Sequence, residues 1–168
     1  YLQMAYALAE KAKGWASPNP LVGAVVVRGG KVIGSGFHER PGKPHAEVIA
    51  LERAGRLARG STLYVTLEPC VHWGRTPPCA EAVIRAAPQR VVVSSLDPNP
   101  VVFKKGVDKL RGAGIQVMVG LLEERNRILN ESYFKYITRG LPFVTLKAAV
   151  SLDGRIATWT HDSRWISS

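Results

Sequence analysis

Three times in succession a helix-patterned stretch is followed by a short β-branched run, and this alternation constrains the fold more than any other feature of the chain. Ala46 to Ala58 carries Val48, Ile49, Leu51 and Leu57 among Glu52, Arg53 and Arg56, and the strand-like run Ser61 to Leu67 follows it. Ala80 to Ala87 precedes Arg90 to Ser95, with Val91-Val92-Val93 at its centre, and Gly106 to Ala113 precedes Ile115 to Val119. Leu121 to Thr138 reads as a long closing helix. A helix between successive strands carries the chain back across one face of the sheet, so the later strands are expected to be parallel.

The N-terminal part reads differently. Leu2, Tyr6, Ala9 and Lys13 have the spacing of one helical face, so a helix over Leu2 to Lys13 is predicted, ending near Gly14. Ser17-Pro18-Asn19-Pro20 is a stiff loop, because each proline fixes its own φ and pushes its predecessor into extended geometry. Leu21 to Val27 and Lys31 to Phe37 are strands joined through Gly29-Gly30, a two-residue hairpin turn that makes them antiparallel. The expected fold class is α/β, a three-layer α/β/α sandwich around a mixed five-stranded sheet. Gly140-Leu141-Pro142 breaks the pattern, and Phe143 to Val150 reads as a fresh strand with no partner upstream. A boundary near residue 141 is therefore expected, with one unit over residues 1–140 and a linker with the opening strand of another over residues 141–168.

A chain of 168 residues buries a core without disulfide staples. No apolar run reaches the roughly 18 residues that a membrane helix needs, and no basic stretch with an apolar core opens the chain. The first residue is Tyr1 rather than Met. The net charge is +10, with 10 basic to 6 acidic residues up to position 84 and 13 to 7 beyond it. Nucleic-acid binders concentrate their charge on one face or arm, so an even excess fits a solvated basic surface or attraction of a small phosphorylated anion better. The expectation is a cytoplasmic protein with no nucleic-acid and no membrane partner.

His45-Ala46-Glu47 opens a predicted helix, Pro69-Cys70 follows a predicted strand, and Cys79 opens the next helix. Alone, a histidine before a helix is more often a cap, and a lone cysteine is more often inert core. Together they have the layout of zinc-dependent nucleobase deaminases. One imidazole and two thiolates give zinc three protein ligands and leave a fourth position for water, whose pKa the metal lowers from 15.7 to about 7. The expected ligands of one zinc per chain are His45, Cys70 and Cys79. Glu47, two residues from His45, is expected to be the catalytic proton shuttle between that water, a ring nitrogen and the leaving amine. A first-turn carboxylate that only favours the helix dipole is the plainer alternative. A structural zinc module would use a fourth Cys or His as a closed ligand set; the chain has no third Cys, and such a module would give Glu47 no role.

Eight residues separate the cysteines, where nucleic-acid deaminases have Cys-x-x-Cys. The run Glu68-Pro69-Cys70-Val71-His72-Trp73-Gly74-Arg75-Thr76-Pro77-Pro78-Cys79 resembles the pyrimidine deaminase domain of riboflavin biosynthesis, within the cytidine-deaminase-like zinc superfamily. So do Pro18-Asn19-Pro20-Leu21-Val22-Gly23, Gly36-Phe37-His38, His45-Ala46-Glu47-Val48 and Asp97-Pro98-Asn99-Pro100. The resemblance runs through essentially the whole chain. It implies hydrolytic deamination of diaminohydroxyphosphoribosylaminopyrimidine to the amino-(phosphoribosylamino)uracil, with release of ammonia. Deamination of tRNA adenosine or of cytosine in nucleic acid, by the same zinc chemistry, is the competing reading. Many family members carry a second, NADPH-dependent reductase domain. The run Lys147 to Arg155, with Ser163 to Ser167, looks like the opening of that domain.

By the same resemblance, Asn19, His38, His72, Arg75, Asp97 and Asn99 are the expected contacts to a phosphorylated pyrimidine, and the protein is expected to be a homo-oligomer, dimer or tetramer. Arg75 and His72 sit in a loop tied at both ends to zinc ligands. A guanidinium there suits a phosphate or a ring carbonyl. Asn19, between prolines, suits an amide-like base edge, while Asn99 has an equal claim as turn chemistry. Trp73 reads as a cover for the loop, and Glu68 either pins the loop or touches the ring. Phe103 departs from the small, Gly-containing stretch that often follows Asp-Pro-Asn-Pro in the family.

Overall fold

Gly29 and Gly30 both have positive φ, 55° and 74°. They join β1 (Gly23–Arg28) to β2 (Lys31–Phe37), with Arg28 opposite Lys31 in an antiparallel ladder. A two-residue hairpin of this hand needs left-handed backbone at both central positions, which glycine adopts without Cβ strain. The computed structural model describes residues 1–164. Its sheet has five strands in the order β2-β1-β3-β4-β5, with β3 (Thr62–Leu67), β4 (Arg90–Ser95) and β5 (Gln116–Val119). β1 pairs β3 antiparallel, and the β3–β4 and β4–β5 ladders are parallel. This is the expected mixed sheet.

Three helices, α2 (Ala46–Ala54), α3 (Cys79–Ala86) and α4 (Lys105–Gly112), cover one face. The main core lies beneath them, built from Ala24, Val26, Leu63, Val65, Val91 and Val93 of the sheet and Ala50, Val83, Val107 and Leu110 of the helices. α2 lies so close to β2 that a Cβ on Gly34 would collide with the Ala50 carbonyl. The opposite face is covered by α1 (Leu2–Ala9), over Val25 and Val27, and by α5 (Glu123–Leu129). Tyr6, fully buried between them, hydrogen-bonds Ser94 Oγ at 2.6 Å and donates to the Leu122 carbonyl at 3.1 Å. The final helix, α6 (Glu131–Arg139), stands at the edge of this layer. Among the described residues no helix is long and apolar enough to cross a membrane.

Five expectations need correction. The first helix stops at Ala9 and continues only as a 3-10 turn, Glu10–Ala12, leaving Lys13 exposed and outside it. The helix expected to run to Ala58 ends at Ala54, because Gly55 turns to φ 54° and Gly55–Ala58 tightens to 3-10 geometry. The long helix over Leu121 to Thr138 is two helices broken at Asn130, and the first strand starts at Gly23 rather than Leu21. One interaction explains both of these boundaries. The Leu21 N–H donates to Asn130 Oδ1 at 2.7 Å, and Asn130 Nδ2 donates to the Leu21 carbonyl at 3.0 Å. The amide side chain takes both backbone groups that a ladder would use, and Asn130 leaves helical geometry at φ −111°, ψ 26°.

The strand expected over Phe143 to Val150 is not formed. None of the five strands pairs with this segment, and Val144 and Leu146 are exposed. An isolated apolar run without a ladder partner leaves its backbone groups to water. The other boundaries fall within two residues of expectation, and Lys31–Phe37 and Arg90–Ser95 match at both ends. Trp165 to Ser167, within the run expected to open a second unit, lie outside the described residues.

Candidate metal centre and its cavity

The site lies beyond the carboxyl ends of β3 and β4. His45 is the residue before α2, held in extended geometry at φ −73°, ψ 160°. Cys70 follows β3 by the Glu68-Pro69 step, and Cys79 is the first residue of α3. The ligand atoms of His45, Cys70 and Cys79 all lie within 4.8 Å of one another. Cys70 Sγ is 3.4 Å from His45 Nδ1 and 3.0 Å from Cys79 Sγ. Both cysteines are free thiols. The Cys70 N–H donates to Cys79 Sγ at 2.9 Å, and the Cys79 N–H donates to Cys70 Sγ at 3.3 Å. On the far side of the ring, His45 Nε2 is 3.2 Å from Thr76 Oγ1, so Nδ1 is the nitrogen turned toward the sulfurs.

Glu47 is buried at 2% exposure, and its Oε1 is 3.2 Å from Cys79 Sγ. Burial pushes its carboxyl above the usual carboxylate range. The Cys79 thiol hydrogen bond, with help from His45, pulls Cys70 down to about 4. Cys79 goes the other way, raised by its own burial and by the charges of Cys70 and Glu47. His45 is raised by its hydrogen bond to Cys70. The more acidic sulfur, Cys70, is thus the one beside His45 Nδ1, and the less acidic one, Cys79, is the one beside Glu47. The second sulfur accepts a backbone N–H and is ready to ionise when a cation takes the place of its proton.

The donor set fits zinc. One nitrogen and two sulfurs suit its borderline-soft character. Tetrahedral zinc with Zn–S bonds near 2.3 Å holds two sulfurs about 3.7 Å apart, a small opening of the present cluster. Glu47 lies against this cluster rather than within it, and His45, Cys70 and Cys79 would hold the ion as three protein ligands.

The adjoining cavity, about 420 Å³, is lined by all the expected metal-ligating, catalytic and substrate-contact residues: Asn19, His38, His45, Glu47, Cys70, His72, Arg75, Cys79, Asp97 and Asn99. His38 is buried, donates from Nδ1 to the Pro44 carbonyl at 3.2 Å and accepts from Asn19 Nδ2 at Nε2, 2.9 Å away. Burial lowers the pKa of His38, which keeps the neutral ring this pattern needs. His38 therefore spends both nitrogens on protein, and Asn19 Oδ1 is the polar atom of the pair with no protein partner among the described residues. His72 and Arg75 are exposed at the rim, without side-chain hydrogen bonds among the described residues. Asp97 is 6% exposed and accepts from the Asn99 N–H and the Tyr133 hydroxyl.

Of the two roles open to Glu68, the hydrogen bonds favour pinning. Oε2 accepts from the Asp97 and Lys104 N–H groups at 3.2 and 3.0 Å, and Oε1 accepts from Val107 N–H at 3.0 Å. Trp73 is 75% exposed and does not line the cavity; nor does Phe103, whose N–H is tied to the Asn99 carbonyl at 2.8 Å. Sequence reasoning missed Thr76, Tyr133, Tyr136 and Ile137 on the wall. Thr76 stood inside the run already singled out. The spacing of Tyr133, Tyr136 and Ile137 marks a helical face, but nothing local says what that face meets.

A family model, the cytidine and deoxycytidylate deaminase zinc-binding region, matches residues 1–95, more than half of the chain. The chain belongs to this deaminase family. Within it, the chain is 60% identical over all 168 residues to the riboflavin biosynthesis protein RibD of Aquifex aeolicus, covering 47% of that protein. It superposes on Acinetobacter baumannii RibD with a TM-score of 0.94 at 49% identity, covering 100% of this chain and 47% of that one. It also superposes with a TM-score of 0.94 on a Thermotoga maritima diaminohydroxyphosphoribosylaminopyrimidine deaminase/5-amino-6-(5-phosphoribosylamino)uracil reductase, at 47% identity, covering 100% of this chain and 49% of that one. The chain spans about half the length of the curated relatives it matches. The resemblance read from the motifs is borne out, and the fold is that of the cytidine-deaminase-like RibD domains.

Proposed function

We propose that this chain hydrolytically removes an amino group from a phosphoribosylaminopyrimidine, converting diaminohydroxyphosphoribosylaminopyrimidine to the amino-(phosphoribosylamino)uracil and ammonia. The observation that carries the reading is the convergence of His45, Cys70 and Cys79 with Glu47 on one wall of a cavity that also holds Asn19, Arg75, Asp97 and Asn99. The similarity to RibD proteins supports the choice of substrate.

His45 Nδ1 and the two sulfurs would hold the zinc. When bound, zinc supplies a Lewis acid that makes water a nucleophile near neutral pH. Glu47 does the proton work. Its carboxylate takes a proton from the attacking water and gives it to the ring nitrogen beside the amine-bearing carbon, as the C–O bond forms and the C=N bond becomes single. The same carboxylate then moves the hydroxyl proton to the amine. The C–N bond breaks, ammonia leaves, and the carbon becomes a carbonyl. Burial raises the pKa of the Glu47 carboxyl, so its carboxylate is a stronger base toward the attacking water than one in bulk solvent, and its pKa moves toward the operating pH that suits a group which both takes and returns a proton. Arg75 and His72, at the exposed rim, meet the phosphate, and Asn19 Oδ1 meets the base edge.

The segment from residue 141 is read as the opening of a second, reductase unit, and NADPH belongs to that unit alone. Homo-oligomeric assembly is part of the same reading.

The test is ammonia release by the zinc-loaded protein from the phosphoribosylaminopyrimidine, with deoxycytidylate and tRNA as competing substrates. Turnover of the first alone supports the proposal, and turnover of tRNA or deoxycytidylate in its place overturns it. Glu47→Gln keeps shape but cannot shuttle a proton. It should retain zinc and lose about 100-fold or more in kcat; loss of zinc would make Glu47 a ligand and the mechanism wrong.

A further inference from the structure

Asp97 carries two hydrogen bonds on the same oxygen. Oδ1 accepts the Asn99 N–H and the Tyr133 hydroxyl, each at 2.9 Å. Oδ2 has no hydrogen-bond partner among the described residues, yet it is not sealed from the cavity that Asp97 lines. An ionised carboxylate can only accept hydrogen bonds. Open to the cavity and unused by the protein, Oδ2 is an acceptor that a donor on a ligand can take.

The donor that fixes this geometry comes from far away in the chain. Tyr133 lies 36 positions beyond Asp97, on α6, and the same helix brings Tyr136 and Ile137 to the cavity wall. Burial and the Asp97 charge push the phenol above its ordinary range, so it stays protonated and donating. Without it, Oδ1 would keep only the Asn99 N–H, and the carboxylate could rotate to exchange its oxygens.

We propose that Tyr133 is a positioning residue for substrate: its hydrogen bond holds Asp97 with Oδ2 toward the cavity, where Oδ2 accepts an N–H of the pyrimidine or of its linking amine. This rests on the deaminase reading above and assigns one of its contacts. It makes Tyr133 a determinant of substrate capture rather than of the chemical step, since the tyrosine acts through Asp97.

The experiment is a double-mutant cycle on the zinc-loaded full chain, with Tyr133→Phe, Asp97→Asn and the double variant. Tyr133→Phe should raise KM about 10-fold while kcat, zinc content and Tm stay near those of the unsubstituted protein. Asp97→Asn keeps an oxygen for Tyr133 and sets an NH2 group where Oδ2 was, so KM should rise by at least as much. In that background, adding Tyr133→Phe should cost less than 2-fold. If Tyr133→Phe leaves KM unchanged, the tyrosine only docks α6 and the proposal falls. A Tyr133→Phe penalty that is undiminished in Asp97→Asn would also overturn it. Should Tyr133→Phe fail to fold, an unchanged KM in Asp97→Asn alone overturns it, and a raised KM there supports it. Absence of pyrimidine turnover in the unsubstituted protein sinks the deaminase reading itself, and this contact with it.

Discussion

Cys70 and Cys79 each donate a backbone N–H to the other's sulfur, at 2.9 Å onto Cys79 Sγ and 3.3 Å onto Cys70 Sγ. The loop between them is long, but its two ends are locked in register. The Ala80 N–H adds a third link, to the Cys70 carbonyl at 3.1 Å. Amides aimed at sulfur favour the thiolate that a metal needs.

Cys79→Ser removes one of these sulfurs while leaving an acceptor for the Cys70 N–H. The fold should survive, and bound zinc, measured by metal analysis after dialysis, should fall to a small fraction of one per chain. Full occupancy in this variant would remove Cys79 from the ligand set.

Thr76 is expected to act through His45. Its hydroxyl is 3.2 Å from Nε2 and fixes which nitrogen faces the sulfurs. Groups that orient a ligand histidine are worth about 10- to 100-fold in metal affinity. Thr76→Val should therefore weaken zinc binding by about 10-fold in a chelator competition, and Thr76→Ser should restore most of it. Equal affinities across the three proteins would refute the role.

Arg75 is exposed at the cavity rim with no acidic partner among the described residues. If it captures phosphate, Arg75→Ala should lower kcat/KM by about 10-fold or more, the scale of one charge-assisted hydrogen bond. Arg75→Lys should recover part of this, because an ammonium lacks the bidentate fork. The penalty should nearly vanish on an analogue without the phosphate. An equal penalty on both substrates would move Arg75 to the ring.

Glu68 receives three backbone N–H groups from residues 97, 104 and 107 and is only 3% exposed. Glu68→Gln places an NH2 group against at least one of those donors. Unfolding free energy in urea should drop by about 2–3 kcal/mol, the cost of spoiling a buried, charged hydrogen-bond centre. A denaturation midpoint equal to that of the unsubstituted protein would show that the loop is held by other means.

The Gly29-Gly30 turn, the valines of β4 and the ligand run from Cys70 to Cys79 were legible because each is a local pattern with one physical solution. The hairpin needs two positive φ values, a fully buried strand needs an apolar run, and a metal needs donors of fixed chemistry. The break at Asn130 was not legible, since its cause is a side-chain amide pairing with Leu21, far back in the chain. Tyr133 was hidden for the same reason: its partner is Asp97, and only the folded chain brings α6 to the ends of the strands. The helix ends at Ala9 and Ala54 slipped because helical periodicity continues through a 3-10 turn, where only the hydrogen-bond spacing changes.

The Asn130 clamp has a consequence for how the protein is made. The loop that presents Asn19 leaves the ribosome early, but the amide that holds its neighbour Leu21 comes 109 residues later. Until α5 and the start of α6 have emerged, the entry to β1 has no partner for two of its backbone groups, and one wall of the cavity is missing. A nascent chain therefore carries all three residues of the candidate metal cluster well before it carries the helix that closes the cavity. The residues of the His45, Cys70 and Cys79 cluster and those of the far cavity wall are thus supplied at different chain lengths, and a product ending before residue 130 would contain the former while lacking Tyr133, Tyr136 and Ile137.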